Sequence, residues 1–219
     1  MENTVICAID LSGPFASFAV NCSGKLLCAK SFLLQNRNNS AFFNSFFETL
    51  KNNNILPNLI DTWIVGTGPG SFTGLRIASS FVLGAAYQSK KFLLGIPSAF
   101  PLASALNLKP EETAGILFPC SKDMIFLYGI KNENGYGLKK LEDIKIITVK
   151  EIRKLDNYDK LACIENQYMK DFLSFIDKEV EIFTPFPVEN MFDDFKDNYT
   201  DIKDLLYVRP PSGIMSGNT

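Results

Sequence analysis

Between an apolar run ending at Val65 and a helix-patterned stretch beginning at Leu75, the chain places Gly66 to Gly74 as GTGPGSFTG. A strand, a glycine-rich turn and a helix N-terminus in direct succession point to a layered α/β architecture. The same succession presents backbone N–H groups to an anion. The residues do not spell a standard nucleotide fingerprint, because no Lys-Ser/Thr pair follows the glycines and Ser71 stands where GxGxxG needs its third glycine. The competing reading is a tight turn: Gly68 and Gly70 permit the path, Pro69 stiffens it, and Ser71 or Thr73 caps the next helix. Asp10, with Ser12 two residues on, ends the first strand and is read either as a holder of metal or phosphate or as a turn carboxylate bound to backbone N–H groups. Asp10, Ser12, Gly68, Gly70, Ser71 and Thr73 are therefore weak candidates for a cofactor site, and spacing alone leaves both readings open.

Composition removes several chemistries. The 219 residues contain no histidine, which excludes Ser-His-Asp and Cys-His nucleophile systems and His-containing zinc sites. The five cysteines, Cys7, Cys22, Cys28, Cys120 and Cys163, are an odd number without a CxxC pair, an expectation of a reducing cytoplasm rather than a disulfide framework. With 22 basic and 24 acidic residues, the net charge of −2 supplies no surplus positive field for a polyanion. The opening MENTVICAID lacks the basic start and long apolar core of a signal peptide, and no run reaches the roughly 18 apolar residues of a membrane span.

Along the chain, Val5 to Ile9, Phe15 to Val20 and Leu26 to Leu34 read as three strands before any helix. A helix is expected over about Asn39 to Asn53, a strand at Thr62 to Val65, a helix over about Leu75 to Ser89, a strand at Phe92 to Gly95, and a helix capped by Ser98 and running through Leu106. The polar stretch Asn107 to Thr113 is the expected domain boundary. Residues 1–106 are thus read as one α/β domain, 107–211 as a smaller one and 212–219 as a flexible tail. In the second half, strands are expected at Gly115 to Phe118, Met124 to Ile130 and Leu161 to Ile164, and helices over Gln167 to Ile176 and Val188 to Leu205. Phe126, Tyr128, Phe172, Phe175, Phe183, Phe186, Phe192 and Phe195 are assigned to the core. Asp193, Asp194, Asp197, Asp201 and Asp204 are assigned to a solvated face of the last helix.

The first two helices carry more apolar surface than one sheet face needs. At 100° per residue, the apolar positions of the second helix cover about 240°, and Phe42, Phe43, Phe46, Phe47 and Leu50 cover about 140° of the first. Either this is internal core or a partner docks there. The expected docking face comprises Phe42, Phe43, Phe46, Phe47, Leu75, Ile77, Ala78, Phe81, Val82 and Ala85.

The run GTGPGSFTGLRIASS at 66–80 resembles the signature of the TsaB (YeaZ) family, which serves threonylcarbamoyl modification of tRNA. CAIDLS at 7–12, GIPS at 95–98 and LYVRPP at 206–211 resemble further family segments, so the likeness extends from end to end. It implies an actin-like ATPase-superfamily (ASKHA) fold, a mixed sheet with flanking helices and a smaller, degenerate second domain. It also implies a non-catalytic scaffold without a cofactor of its own, paired with a TsaD-like subunit and a TsaE-like ATPase. ATP and a metal ion are then expected on those partners, tRNA is met only through the complex, and the isolated chain is able to form a homodimer on the first two helices. The sequence departs from the family pattern at Asn39, Ser40 and Ala41, in place of His-Ser-Glu, at Leu11, in place of Thr, and at Pro119, Cys120 and Ser121, in place of Asp-Ala-Arg. The alternative function is a nucleotide-hydrolysing enzyme of the same superfamily, built on Asp10, Ser12 and the glycine loop.

Overall fold

The structure is a computed structural model that describes residues 4–34, 40–87, 91–121, 124–134, 136–167 and 169–206. Asn39, Ser89, the Tyr207 and Arg209 of the LYVRPP segment, and the 212–219 tail lie outside the described residues.

Strands β1 (Val5–Asp10), β2 (Phe15–Cys22) and β3 (Lys25–Leu33) form an antiparallel meander; β4 (Thr62–Gly66) and β5 (Phe92–Ile96) then add in parallel on the other side of β1. The sheet order is β3-β2-β1-β4-β5. Helices α1 (Ser40–Asn52), α2 (Phe72–Tyr87) and α3 (Ala99–Ala105) follow β3, β4 and β5 in turn. The expected order of three strands, helix, strand, helix, strand, helix is the observed one.

The second half repeats this plan, a repeat that the sequence does not display. Its meander is β6 (Thr113–Ser121), β7 (Met124–Glu133) and β8 (Gly137–Lys140), and β10 (Lys160–Ile164) and β11 (Val180–Phe183) add in parallel beyond β6. The order β11-β10-β6-β7-β8 mirrors the first sheet strand for strand, and β9 (Lys145–Thr148) pairs with the other end of β7. The helices have shrunk most. A 3-10 segment at Val149–Asn157 stands in the place of α1, the single turn α4 (Lys170–Leu173) in that of α2, and a 3-10 segment at Val188–Phe192 in that of α3. Two mixed sheets of one topology, the second with reduced helices, are the actin-like ATPase-superfamily fold that the resemblance implies.

Alternation along the strands sorts the interior into layers. Cys7, Ile9, Phe18, Val20, Trp63 and Val65 face α1 and α2, whereas Ala8, Ala19 and Ile64 face α3, the Val188–Phe192 segment and the second sheet. Because β1 and β4 are covered on both faces, they read as continuous apolar runs. The two sheets share the central cluster, with Phe100, Val188, Met191 and Phe195 at its middle. A third cluster, holding Leu155, Met169 and Phe172, covers the outer face of the second sheet.

Two expected helices are corrected. Over 167–176 only Lys170–Leu173 is helical. The helix over 188–205 is absent, replaced by 3-10 turns at Val188–Phe192 and Lys196–Asn198. Val188, Met191, Phe195 and Ile202 are all buried and their spacing imitates a helical face, but they are buried by a chain that runs along the first sheet rather than by a helix. Phe175 is 53% exposed, so it is not core.

Candidate functional site: a closed glycine loop and an open helix face

Asp10 ends β1 with its carboxylate 1% exposed. Oδ1 accepts hydrogen bonds from the Ser12 amide (2.8 Å) and the Ser12 hydroxyl (2.6 Å), and Oδ2 accepts from the Ser98 hydroxyl (2.6 Å). Ser98 Oγ in turn accepts from the Gly68 amide at 3.2 Å. Ser98 therefore makes no side-chain cap on α3; the expected cap is corrected to a link from the first strand to the glycine loop. Gly66 makes this contact possible, since a Cβ there would sit 1.8 Å from Asp10 Oδ2.

The loop itself is packed against protein. The Ser71 amide donates to Ser12 O at 2.7 Å, the Gly70 amide to Leu206 O at 3.3 Å, and the Leu206 amide to Thr67 O at 2.7 Å. Ser71 Oγ accepts from the Gly74 amide at 3.2 Å, so Ser71 caps α2. Gly68 has φ +93°, a conformation that favours glycine, and a Cβ on Gly70 would lie 2.2 Å from Ser12 O. The Gly68, Gly70 and Ser71 amides, three donors that a phosphate would need, are spent on Ser98, Leu206 and Ser12. For Gly68, Gly70 and Ser71 the geometry is that of the tight turn. Thr73 is exposed and faces away from the loop into a groove between the helices.

Burial raises the Asp10 carboxyl above its ordinary value of 3.8, against the lowering effect of the Ser12 and Ser98 hydrogen bonds. With the native value above the unfolded one, the unfolded chain gives up this proton first as pH rises. The stability that Asp10 contributes is whole below the unfolded value and is lost as pH climbs through the native one. Asp10→Asn, a neutral near-isostere, removes that loss. Urea midpoints taken from about pH 4 to about pH 7 should show the variant gaining on the wild type; a wild type gaining on the variant would show that the ionised form is the better held one.

The second feature is the outer face of α1 and α2. Phe42, Phe46, Leu75, Ala78 and Val82 are fully buried within the chain. These five members of the expected docking face are corrected to core, because Phe42 and Phe46 stack edge-on against Phe18 and Phe81 rather than facing solvent. Phe43, Ile77 and Phe81 are half-buried, and Phe47 (48%) and Ala85 are exposed. Phe43, Phe72, Thr73, Arg76, Ile77, Ser80 and Phe81 line a groove of about 430 Å³, with the Arg76 guanidinium 3.9 Å from the centre of the Phe72 ring. Sequence reasoning missed Phe72, Arg76 and Ser80, which lie within the signature run itself. It also missed Leu206 as a loop partner, for which the sequence carries no local signal.

A family model described as "TsaD: tRNA N6-adenosine threonylcarbamoyltransferase" matches residues 38–186. No curated protein matches the sequence. Among solved structures, the chain is similar to an uncharacterized Pseudomonas aeruginosa protein with similarity to peptidase YEAZ, with 16% identity, TM-score 0.72, and coverage of 94% of this chain and 99% of that one. It is similar to YeaZ from Pseudomonas aeruginosa, with 15% identity, TM-score 0.70, and 94% and 100% coverage. A more distant likeness is to component A of the (R)-2-hydroxyglutaryl-CoA dehydratase of Acidaminococcus fermentans, with 8% identity, TM-score 0.50, and 86% and 94% coverage. At these identities the structural likenesses establish the fold. Among the described residues, no helix is long and apolar enough to cross a membrane.

Proposed function

Since the chain belongs to the family described as TsaD, tRNA N6-adenosine threonylcarbamoyltransferase, we propose that it serves tRNA threonylcarbamoylation as a non-catalytic, YeaZ-like subunit of the cytoplasm. It docks on a TsaD-like subunit, with a TsaE-like ATPase joining them. The observation that carries this reading is the contrast between the two features above: the Gly68, Gly70 and Ser71 amides of the loop bond within the chain, while Phe43, Phe47, Ile77, Phe81 and Ala85 leave apolar surface on α1 and α2.

Three further points support it. The sequence has no histidine, which removes Ser-His-Asp and Cys-His nucleophile systems. The YeaZ structures match over 94% of this chain and 99–100% of their own length, so the likeness is to a whole protein. An interface of standard size covers about 800 Å² per partner, and aromatic anchors flanked by an arginine are the composition that such interfaces favour. The ATP and metal ion of the reaction belong to the partner subunits, tRNA is met in the assembled complex, and the same face allows a homodimer when the chain is alone.

Reconstitution tests the reading. The chain alone, given tRNA, ATP, magnesium and the threonylcarbamoyl donor, should form no modified adenosine, and adding the TsaD-like subunit and the ATPase should restore product. Turnover by the isolated chain, or tight calorimetric binding of ATP and magnesium to it, would favour the nucleotide-hydrolysing alternative.

A further inference from the structure

After the Lys196–Asn198 turn the chain leaves the second half and crosses back over the first. Thr200 forms a two-way antiparallel bridge with Gly95 on the edge strand β5, with both N–H···O distances 2.8 Å. Ile202 is 2% exposed in the cluster beneath α1 and α2, and its carbonyl accepts from the Ser79 hydroxyl of α2 at 2.9 Å. Leu206 then donates to Thr67 O and accepts from the Gly70 amide. One irregular stretch thus touches the sheet edge, the inner side of the helix that carries the groove, and the glycine loop.

We propose that residues 200–206 are a releasable strap, which opens and closes as a unit and couples the glycine loop to the position of α2. Four observations mark it as removable. Its attachment to β5 is a single bridge rather than a ladder. Asp201, Lys203 and Asp204 are exposed, and of the strap's apolar side chains only Ile202 is fully buried, Leu206 packing partly against the central cluster. Between its ends its own backbone bonds are two short turns, Asp204 N–H to Asp201 O and Leu205 N–H to Lys203 O. Finally, the buried hydroxyls of Thr67 and Thr200, on the two sides of the seam, have no hydrogen-bond partner, so the closed state leaves polar groups unpaired, at a cost. Segments with few apolar contacts and isolated backbone bonds open below the global unfolding limit. Opening releases the Gly70 N–H and the Thr67 carbonyl, and frees the Ser79 side of α2.

Gly95 and Gly68 are the seats of the strap. A Cβ on Gly95 would lie 2.7 Å from Thr200 Oγ1, and one on Gly68 would lie 2.6 Å from Leu206 O. The inference does not depend on the identity of any docking partner.

Site-resolved native-state hydrogen exchange on the full chain tests it. The amides of Thr200, Leu206 and Gly70 should exchange with a common opening, about tenfold or more faster than those of Ser71 and Thr67, whose acceptors Ser12 O and Ile96 O lie outside the strap. Ile202→Ala should speed the first three by a further factor of about ten and leave the last two unchanged. Wild-type protection of Thr200 and Leu206 equal to that of the β4 amides would overturn the proposal. So would a folded Ile202→Ala protein in which all five amides accelerate equally.

Discussion

Replacing Phe46 by alanine is expected to cost about 3 to 5 kcal/mol, whereas replacing its neighbour Phe47 by glutamate should change stability by less than about 1 kcal/mol. The two residues are adjacent in sequence and alike in chemistry, and the helix separates them. Phe46 is fully buried, with its ring centroid 5.1 Å from Phe18, 5.2 Å from Phe81, 5.7 Å from Phe42 and 6.2 Å from Trp63. Truncation there removes the ring at which α1, α2 and the sheet meet, and the neighbours, themselves rings, collapse poorly into the space left. Phe47 touches Phe46 and Phe81 at 5.4 and 6.0 Å but is half open to solvent. Trp63 is the single tryptophan and is 1% exposed, so its emission follows urea unfolding of this core. Equal midpoint losses for the two variants would contradict the division of the helix into a core side and a free side.

The second large effect is at Gly70. Gly70→Ala would place a methyl group 2.2 Å from Ser12 O and 2.7 Å from Ser12 Cβ, atoms of a turn that Asp10 and the Ser71 amide already fix from both sides. Neither side has a flexible end to move away, so the loop must separate from the β1 turn. We expect a loss of about 3 kcal/mol and a thermal midpoint lowered by roughly 6 to 12 °C for a domain of this size. Gly84→Ala is the control. Nothing lies within 4 Å of its added Cβ and the position is helical, so it should gain up to about 1 kcal/mol. If Gly70→Ala melts with the wild type, the loop is not packed against the β1 turn as described.

The first half was legible in the sequence because each element announces itself locally. Period-two apolar runs end at turn residues, Phe42, Phe46 and Leu50 recur at helical spacing, and the glycine loop falls between a strand and a helix. What the sequence could not supply was the partner of each surface. Phe42 and Phe43 are indistinguishable until the sheet is in place; then Phe42 meets Phe18 and Phe43 remains at the groove. Ser98 looks like a helix cap because it precedes a helix, yet a carboxylate 88 residues away in sequence claims its hydroxyl. The second half was harder to read because β8, β9, β10 and β11 have only four or five residues each and its helices have contracted to 3-10 segments and the single turn α4. The late segment misled most, since Val188, Met191 and Phe195 keep helical spacing while the backbone, bent at Pro187 and again at Asp193, follows the first sheet instead. The resemblance supplied the fold family and a smaller second domain, while the repeat of one sheet plan shows only in the strand order.

The central claim is that the helix face, and not the glycine loop, is where this chain acts. Its most direct test is native intact-mass measurement of the chain co-expressed with the TsaD-like subunit of the same organism, for the wild type beside Phe47→Glu and Ala85→Arg. Both substitutions are at exposed positions of α1 and α2 and should leave the melting curve in place. The account predicts a heteromer with the wild type and separate chains with each variant; a heteromer that persists at wild-type yield in both folded variants would contradict it.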